Sequence, residues 1–119
     1  MVILIDVDGI LTNETSKTPY RKRTPNELNC RIVRHLFSQH RIILFTARHR
    51  GDRKITEKWL KDNNVPYHKL IMGKPRCDII WDDKSVTSHF MERLAGIEKA
   101  CSIHPIKSLT EILPGWEEL

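Results

Sequence analysis

Val2-Ile3-Leu4-Ile5-Asp6-Val7-Asp8-Gly9 decides the fold, because four apolar residues lead directly into two alternate carboxylates and a glycine. A short apolar run of this kind is typical of a buried strand, and alternation along a strand sends Asp6 and Asp8 to the same side. Gly9 lets the chain turn sharply beside a bound group. The pattern therefore predicts either a strand that delivers two acids to one ligand or a strand followed by an Asx-type turn.

The composition indicates a single domain. The chain has 119 residues, of which 39% are hydrophobic, and this is enough for one core but not for a core with an independent lid. The apolar run near the amino terminus is too short for a signal peptide or a membrane span, so we expect a cytoplasmic protein that does not bind membranes. The three cysteines are widely spaced, which predicts neither a disulfide framework nor a Cys-x-x-Cys metal site.

The formal net charge of +5 is concentrated in two basic clusters. One contains Lys17 and residues 21–23, the other lies within residues 48–54, and both follow the end of a predicted strand. A charge run in a loop is usually only solvated, but two such clusters beside one acidic centre favour an anionic substrate.

Strands and helices alternate along the rest of the chain. Thr24-Pro25-Asn26-Glu27 has the pattern of a capping box, and the apolar spacing after it predicts a helix that ends near His40. The further predicted elements are a strand at 41–46, a helix capped by Asp52 and closed by Asn63-Asn64, strands at 69–72 and 77–81, a helix at 86–94, an edge strand at 100–103 and a short helix capped at Ser108. This alternation predicts an α/β fold, a three-layer parallel sheet with right-handed crossovers and helices on both faces.

Polar residues stand at the carboxyl ends of the predicted strands, which is where open parallel sheets bind their ligands. They are Asp6, Asp8, Thr46, Asp82 and Asp83. Converging carboxylates repel one another by ~4 kcal/mol per close pair at an effective dielectric constant near 20, and a divalent cation would remove that cost. Oxygen ligands select magnesium or manganese, whereas zinc is disfavoured because no cysteine or histidine pair has ligand spacing.

Thr46 and Lys74 supply groups that suit the oxygens of a phosphoryl group. Thr46 ends its strand with a hydroxyl, and Lys74 offers a point charge within Gly73-Lys74-Pro75. Either residue alone is common in any protein. Together with the acids they predict phosphoryl transfer, in which catalysis is mostly positioning and charge neutralisation.

In their order along the chain these motifs resemble those of the haloacid dehalogenase (HAD) superfamily of aspartate phosphotransferases. The matching segments are Asp6-Val7-Asp8-Gly9-Ile10-Leu11-Thr12, Phe45-Thr46-Ala47-Arg48, Lys74 and Asp82-Asp83. The resemblance covers residues 1 to about 90. Within the superfamily, Val65-Pro66-Tyr67 followed by Gly73-Lys74-Pro75 is similar to small capless phosphatases of capsule or polysaccharide biosynthesis.

The resemblance implies a magnesium-dependent phosphomonoester hydrolase with a Rossmann-like, HAD-like catalytic domain and no cap. Asp6 would be the nucleophile that forms an aspartyl phosphate, and Asp8 the acid and base. Magnesium would be held by Asp6, by the backbone carbonyl of Asp8 and by the pair Asp82 and Asp83, with Asp83 as the direct ligand.

The remaining roles that the resemblance and the basic loops suggest concern the substrate. Thr46, Ala47 and Lys74 would bind the phosphoryl oxygens, and Arg48 and His49 could contact the leaving group. Without a cap the site would be open, unless another subunit of a homo-oligomer covers it.

The substrate and two other functional classes stay open at this point. The resemblance favours a sugar phosphate or a related small metabolite. The basic clusters allow instead a nucleotide or a nucleic-acid 3′-phosphate end, as in the phosphatase half of polynucleotide kinases. Extended nucleic-acid binding is not favoured, because the sequence has no aromatic-rich basic face. A non-catalytic phosphate-binding module is a separate alternative. A response-regulator receiver uses similar residue types, but it places its acidic pair after the first strand, whereas Asp82-Asp83 comes last here.

Overall fold

The computed structural model describes residues 1–96. The predicted edge strand at 100–103 and the predicted helix capped at Ser108 lie outside the described residues.

Three parallel strands form a sheet in the order β1-β2-β3. They are β1 (Val2–Asp6), β2 (Arg41–Phe45) and β3 (Lys69–Ile71). The register pairs Ile5 with Leu44 and Leu44 with Leu70, and all three side chains are buried. The first three predicted strands are therefore confirmed, with β2 and β3 each ending one residue earlier than expected.

Within residues 1–96, three α-helices connect and follow the strands, namely α1 (Glu27–Phe37), α2 (Arg53–Asp62) and α3 (Ser88–Leu94). Because successive strands step in the same direction across the sheet, right-handed crossovers place α1 and α2 on the same face. Their buried residues complete one core with the inward side chains of the strands. The α/β class with a parallel, Rossmann-like sheet is confirmed.

The start of α1 differs from the predicted capping box. The side chain of Asn26 caps the helix by accepting a hydrogen bond from the backbone N–H of Asn29 at 3.1 Å. Thr24 instead binds the carboxylate of Glu14 through both its backbone N–H and its hydroxyl. The predicted cap at Thr24 is wrong, because Thr24 binds Glu14 and this contact is not visible in the local sequence pattern.

Two further expectations are not met within residues 1–96. The segment 77–81 forms no strand and is exposed, with Trp81 wholly in solvent, so β1 has no second partner strand in the described part of the chain. The sheet face opposite α1 and α2 exposes Val2, Leu4 and Ile71. The predicted layer of helices on both faces is therefore not formed by these residues, since the right-handed crossovers place both connecting helices on one side.

A search of the same residues for membrane-spanning helices found none long and apolar enough to cross a bilayer.

Candidate active site

A cavity of about 660 Å³ opens at the carboxyl edge of the sheet. Five of the predicted site residues line it, namely Asp6, Asp8, Ala47, Arg48 and Lys74. Asp6 ends β1, while the others follow the ends of the three strands. Parallel strands thus bring these side chains together at one edge, as the sequence predicts.

The turn after β1 presents Asp8 to this cavity. Gly9 has a φ of +86°, and a Cβ there would lie only 2.9 Å from Cγ2 of Thr15. The backbone N–H of Gly9 donates to Oγ1 of Thr12 at 3.2 Å, and the N–H of Thr12 donates back to the carbonyl of Val7 at 3.2 Å. Both the backbone conformation and the lack of space therefore require glycine at this position.

Two arginines clamp the carboxylate of Asp8. Nε of Arg48 lies 2.9 Å from Oδ2 of Asp8, and Nη2 lies 2.7 Å from Oδ1. Nη1 of Arg23 lies 2.8 Å from the same Oδ1. The ring of Tyr20 packs against both guanidinium groups, at 4.0 Å from Cζ of Arg48 and 4.8 Å from Cζ of Arg23.

This clamp decides the protonation state of Asp8. Burial by itself raises the pKa of Asp8, but the hydrogen bonds and charges of Arg48 and Arg23 outweigh burial and bring the pKa below its ordinary value. Arg48 is only 1% exposed, so its charge is balanced within the protein rather than by water.

Asp6 has a different environment. Burial raises the pKa of Asp6 above its ordinary value, although the charge and hydrogen bond of Lys74 counteract part of that effect. Nζ of Lys74 lies 3.4 Å from Oδ2 of Asp6 and 4.3 Å from the centre of the Phe45 ring. A phosphoryl group in contact with Asp6 would therefore also meet a positive charge.

Thr46 and His49 do not line the cavity. Thr46 is fully buried, where its hydroxyl accepts a hydrogen bond from the N–H of Arg48 at 3.2 Å and its carbonyl accepts one from the N–H of Lys74 at 2.9 Å. His49 is exposed, and its Nδ1 accepts from the N–H of Gly51 at 3.0 Å. Thr46 thus holds Arg48 and Lys74, two residues of the cavity wall, in place. The phosphate contact of Thr46 and the substrate contact of His49 stay predictions.

The predicted magnesium ligands are not assembled by the described residues. Asp82 and Asp83 are exposed and lie off the cavity wall, and Oδ1 of Asp82 accepts from the N–H of Lys84 at 2.8 Å. Among residues 1–96 no group of three or more His, Cys, Asp or Glu side chains is placed to hold a metal ion. Since the segment that carries the acidic pair does not pair with β1, the donors present do not fit magnesium in this arrangement.

Sequence reasoning did not assign three contributors to the site, Arg23, Tyr20 and Thr56. Arg23 and Tyr20 belong to the first basic cluster, which the sequence connects with an anionic substrate but not with Asp8. Thr56 is buried on α2, and its Oγ1 accepts from Nη1 of Arg48 at 3.0 Å. No local pattern marks these residues, because their roles depend on contacts between elements, those of Arg23 with Asp8 and of Thr56 with Arg48.

Comparison with known proteins supports the fold. No family model and no curated protein sequence matches the chain. A crystal structure of a structural-genomics target from Vibrio cholerae has a TM-score of 0.56 and 23% sequence identity, over 82% of this chain and 98% of that chain.

Two structures of an RNA repair assembly are similar as well. A chain of the Pnkp1/Rnl/Hen1 complex has a TM-score of 0.54 and 20% identity, over 85% of this chain and 34% of that chain. A second structure, of the Pnkp1/Rnl/Hen1 RNA repair complex, gives 0.53 and 20% identity over 85% and 32%. This chain thus corresponds to about a third of those proteins, and at such identity the likeness shows a shared α/β fold.

Proposed function

We propose that the protein is a phosphatase that removes terminal phosphates from nucleic-acid 3′ ends or nucleotides through an aspartyl-phosphate intermediate on Asp6. The observation that carries the proposal is the cavity in which Asp6, Asp8 and Lys74 meet. These residues come in the order of the HAD motifs, and they stand at the edge where a parallel sheet binds ligands.

The chemistry follows from the two carboxylates. An oxygen of Asp6 attacks phosphorus, the bond from phosphorus to the leaving oxygen breaks, and Asp8 gives that oxygen a proton. Water then attacks the aspartyl phosphate and passes a proton to Asp8, which releases inorganic phosphate and restores Asp6. The arginines that favour ionised Asp8 suit this second step, in which Asp8 acts as the base, and oppose the first step, for which Asp8 must carry a proton.

Positive charge on the cavity wall supports a polyanionic substrate. The wall carries five basic side chains against three acidic ones, respectively Lys17, Arg23, Arg48, Lys74 and Arg76, and Asp6, Asp8 and Asp78. Its volume of about 660 Å³ is in the range of small-molecule sites. Together with the likeness to a component of an RNA repair complex, this favours nucleic-acid ends over the sugar phosphate that the sequence first suggested.

The proposal is tested by phosphate release from a substrate panel. The panel contains 3′-phosphorylated and 5′-phosphorylated oligonucleotides, nucleoside monophosphates and hexose phosphates, each with magnesium and with a chelator. We expect the highest kcat/KM for the oligonucleotides or nucleotides, and the comparison between magnesium and chelator measures whether hydrolysis depends on the metal. Absence of phosphate release from every substrate would refute the phosphatase, whereas a preference for hexose phosphates would restore the sugar-phosphate alternative.

The nucleophile is tested separately. Asp6→Asn should abolish turnover and leave the unfolding transition in place, because the amide is isosteric but cannot form the acyl phosphate. Asp62→Asn is the matched control, since the carboxylate of Asp62 forms an exposed ion pair with Lys58 on α2. Retained activity in Asp6→Asn would exclude Asp6 as the nucleophile.

A further inference from the structure

We propose that Thr56 and Trp59 of α2 are positioning residues that hold the two arginines against Asp8. The inference rests on the proposed phosphatase function, and it assigns a role to an element that carries none of the HAD-like motifs.

Thr56 fixes the guanidinium of Arg48. Two nitrogens of that guanidinium, Nε and Nη2, donate hydrogen bonds to the carboxylate of Asp8, and the third, Nη1, donates to Oγ1 of Thr56 at 3.0 Å. The hydroxyl of Thr56 in turn donates to the carbonyl of Asp52 at 2.8 Å. Its proton is therefore committed, and a lone pair faces Arg48. A hydroxyl is needed here, because valine has the same shape but cannot accept a hydrogen bond.

Trp59 fixes Arg23 through the backbone. The indole Nε1 of Trp59 donates to the carbonyl of Arg23 at 2.7 Å, and Nε of Arg23 donates to the carbonyl of Thr18 at 2.9 Å. The main chain and the side chain of Arg23 are thereby both held, which directs Nη1 to Asp8.

The two anchors lie on one face of α2. Positions three apart on a helix are neighbours, so a single rigid element holds one arginine by its side chain and the other by its carbonyl. Buried threonine hydroxyls and tryptophans are ordinary core features when taken singly. Here both lead to the same carboxylate on the wall of the cavity, which a packing role alone does not require.

For catalysis, these contacts would keep the carboxylate of Asp8 accurately placed in the cavity. Asp8 can exchange protons only from hydrogen-bonding distance, and a shift of 1 Å in a catalytic group costs on the order of a hundred-fold in rate. Loosening Arg48 or Arg23 would move Asp8 without touching Asp6 or Lys74. The binding of the phosphoryl group should then persist while the chemical steps slow.

The test separates kcat from KM in Thr56→Val, Thr56→Ser and Trp59→Phe, using the substrate that wild type hydrolyses fastest. We expect Thr56→Val to lower kcat about ten-fold or more with KM within about two-fold of wild type. Thr56→Ser should recover most of the activity, because it restores the acceptor for Arg48. Trp59→Phe should lower kcat in the same way, since it removes the indole N–H that binds the carbonyl of Arg23. It also removes part of a buried ring, and Leu60→Val shows the effect of lost packing alone.

Leu60→Val is the control for stability. Leu60 is fully buried on the same helix but touches neither arginine through a hydrogen bond, so this variant should lose stability with kcat unchanged. If Thr56→Val does not fold, Trp59→Phe and Thr56→Ser still decide the matter through kcat.

The outcomes distinguish this inference from the proposed function. An inactive wild type overturns both. An active wild type whose kcat is unchanged in Thr56→Val and Trp59→Phe overturns only the role of α2. Equal loss in Thr56→Ser and Thr56→Val, or loss of kcat in Leu60→Val, would likewise reduce the effect to packing.

Discussion

Asp6 and Asp8 stand two positions apart, yet their carboxylates meet opposite conditions. Asp6 has one lysine beside it and a raised pKa, whereas Asp8 has two arginines and a lowered pKa. The difference comes from Arg48, which is 40 positions away in the sequence, and from Arg23. In the proposed reaction, the lowered pKa of Asp8 favours the hydrolysis step, in which Asp8 accepts a proton, and opposes the first step, in which Asp8 donates one.

Asp8→Asn should lower the free energy of unfolding by about 3 kcal/mol at neutral pH, because two buried arginines lose their counter-charge. The difference from wild type should shrink in acid. The folded-state pKa of Asp8 is below its ordinary value of 3.8, so the stabilisation is fully present above that pH and is lost as the pH falls through the folded-state pKa. Urea unfolding of wild type and Asp8→Asn at pH 7, 5 and 3 measures this difference in the free energy of unfolding.

The control for this prediction is Asp62→Asn. The ion pair of Asp62 with Lys58 is exposed, and such pairs contribute less than about 1 kcal/mol. Its effect should be small at every pH. A difference between wild type and Asp8→Asn that stays constant from pH 7 to pH 3 would contradict an ionised, clamped Asp8.

At the scale of elements, α1 begins at Glu27 because the side chain of Asn26 satisfies a free backbone N–H of its first turn. Asn26→Ala should therefore lower the free energy of unfolding by about 1 kcal/mol, and Asn26→Asp should preserve it. Urea denaturation of both variants checks the prediction, and the slope of the free energy of unfolding against urea concentration should be the same as in wild type. Equal stability of Asn26→Ala and wild type would show that the cap is supplied elsewhere.

The elements that the sequence predicts well are those whose signal is local. β1 and β2 are short continuous apolar runs, and α1 carries apolar residues at helical spacing. Asn64 closes α2 with a φ of 54°, as the Asn63-Asn64 pattern predicts. The segment 77–81 has the same apolar signal as a strand but forms none. An apolar run shows that the segment is compatible with a strand, whereas pairing with β1 depends on contacts with other parts of the chain that a local sequence pattern does not show.

The residues of the site likewise fall into those that the sequence predicts and those that it does not. Asp6, Asp8 and Lys74 could be predicted because strand ends converge in any parallel sheet. Arg23 and Thr56 could not, since each acquires its role from a partner on another element. The pair Asp82 and Asp83 was expected at the same edge, and its place in the site depends on a strand that residues 1–96 do not form.

At the scale of the whole molecule, the positive charge is organised around the cavity. The net charge is +5, and both basic clusters contribute side chains to the cavity wall, namely Lys17 and Arg23 from the first cluster and Arg48 from the second. A concave site with an excess of one charge raises the local concentration of oppositely charged ligands.

Salt dependence should therefore separate an oligonucleotide end from a single nucleotide. If the wall contacts phosphates beyond the terminal one, log kcat/KM for a 3′-phosphorylated oligonucleotide will fall with log salt concentration by ~0.7 per phosphate contact, as for single strands. A 3′-nucleoside monophosphate, which has no further phosphates, should show a shallower slope. Steady-state rates between low and physiological salt give both slopes.

Arg76→Gln and Arg21→Gln make this test specific to the cavity. Arg76 lines the wall, whereas Arg21 belongs to the neighbouring basic cluster and does not. Arg76→Gln should make the oligonucleotide slope shallower by about one contact, ~0.7, and Arg21→Gln should leave it unchanged. Equal slopes for the oligonucleotide and the mononucleotide in the wild type would mean that the wall meets only the terminal phosphate, and the preference for nucleic-acid ends would then have to come from contacts outside this cavity.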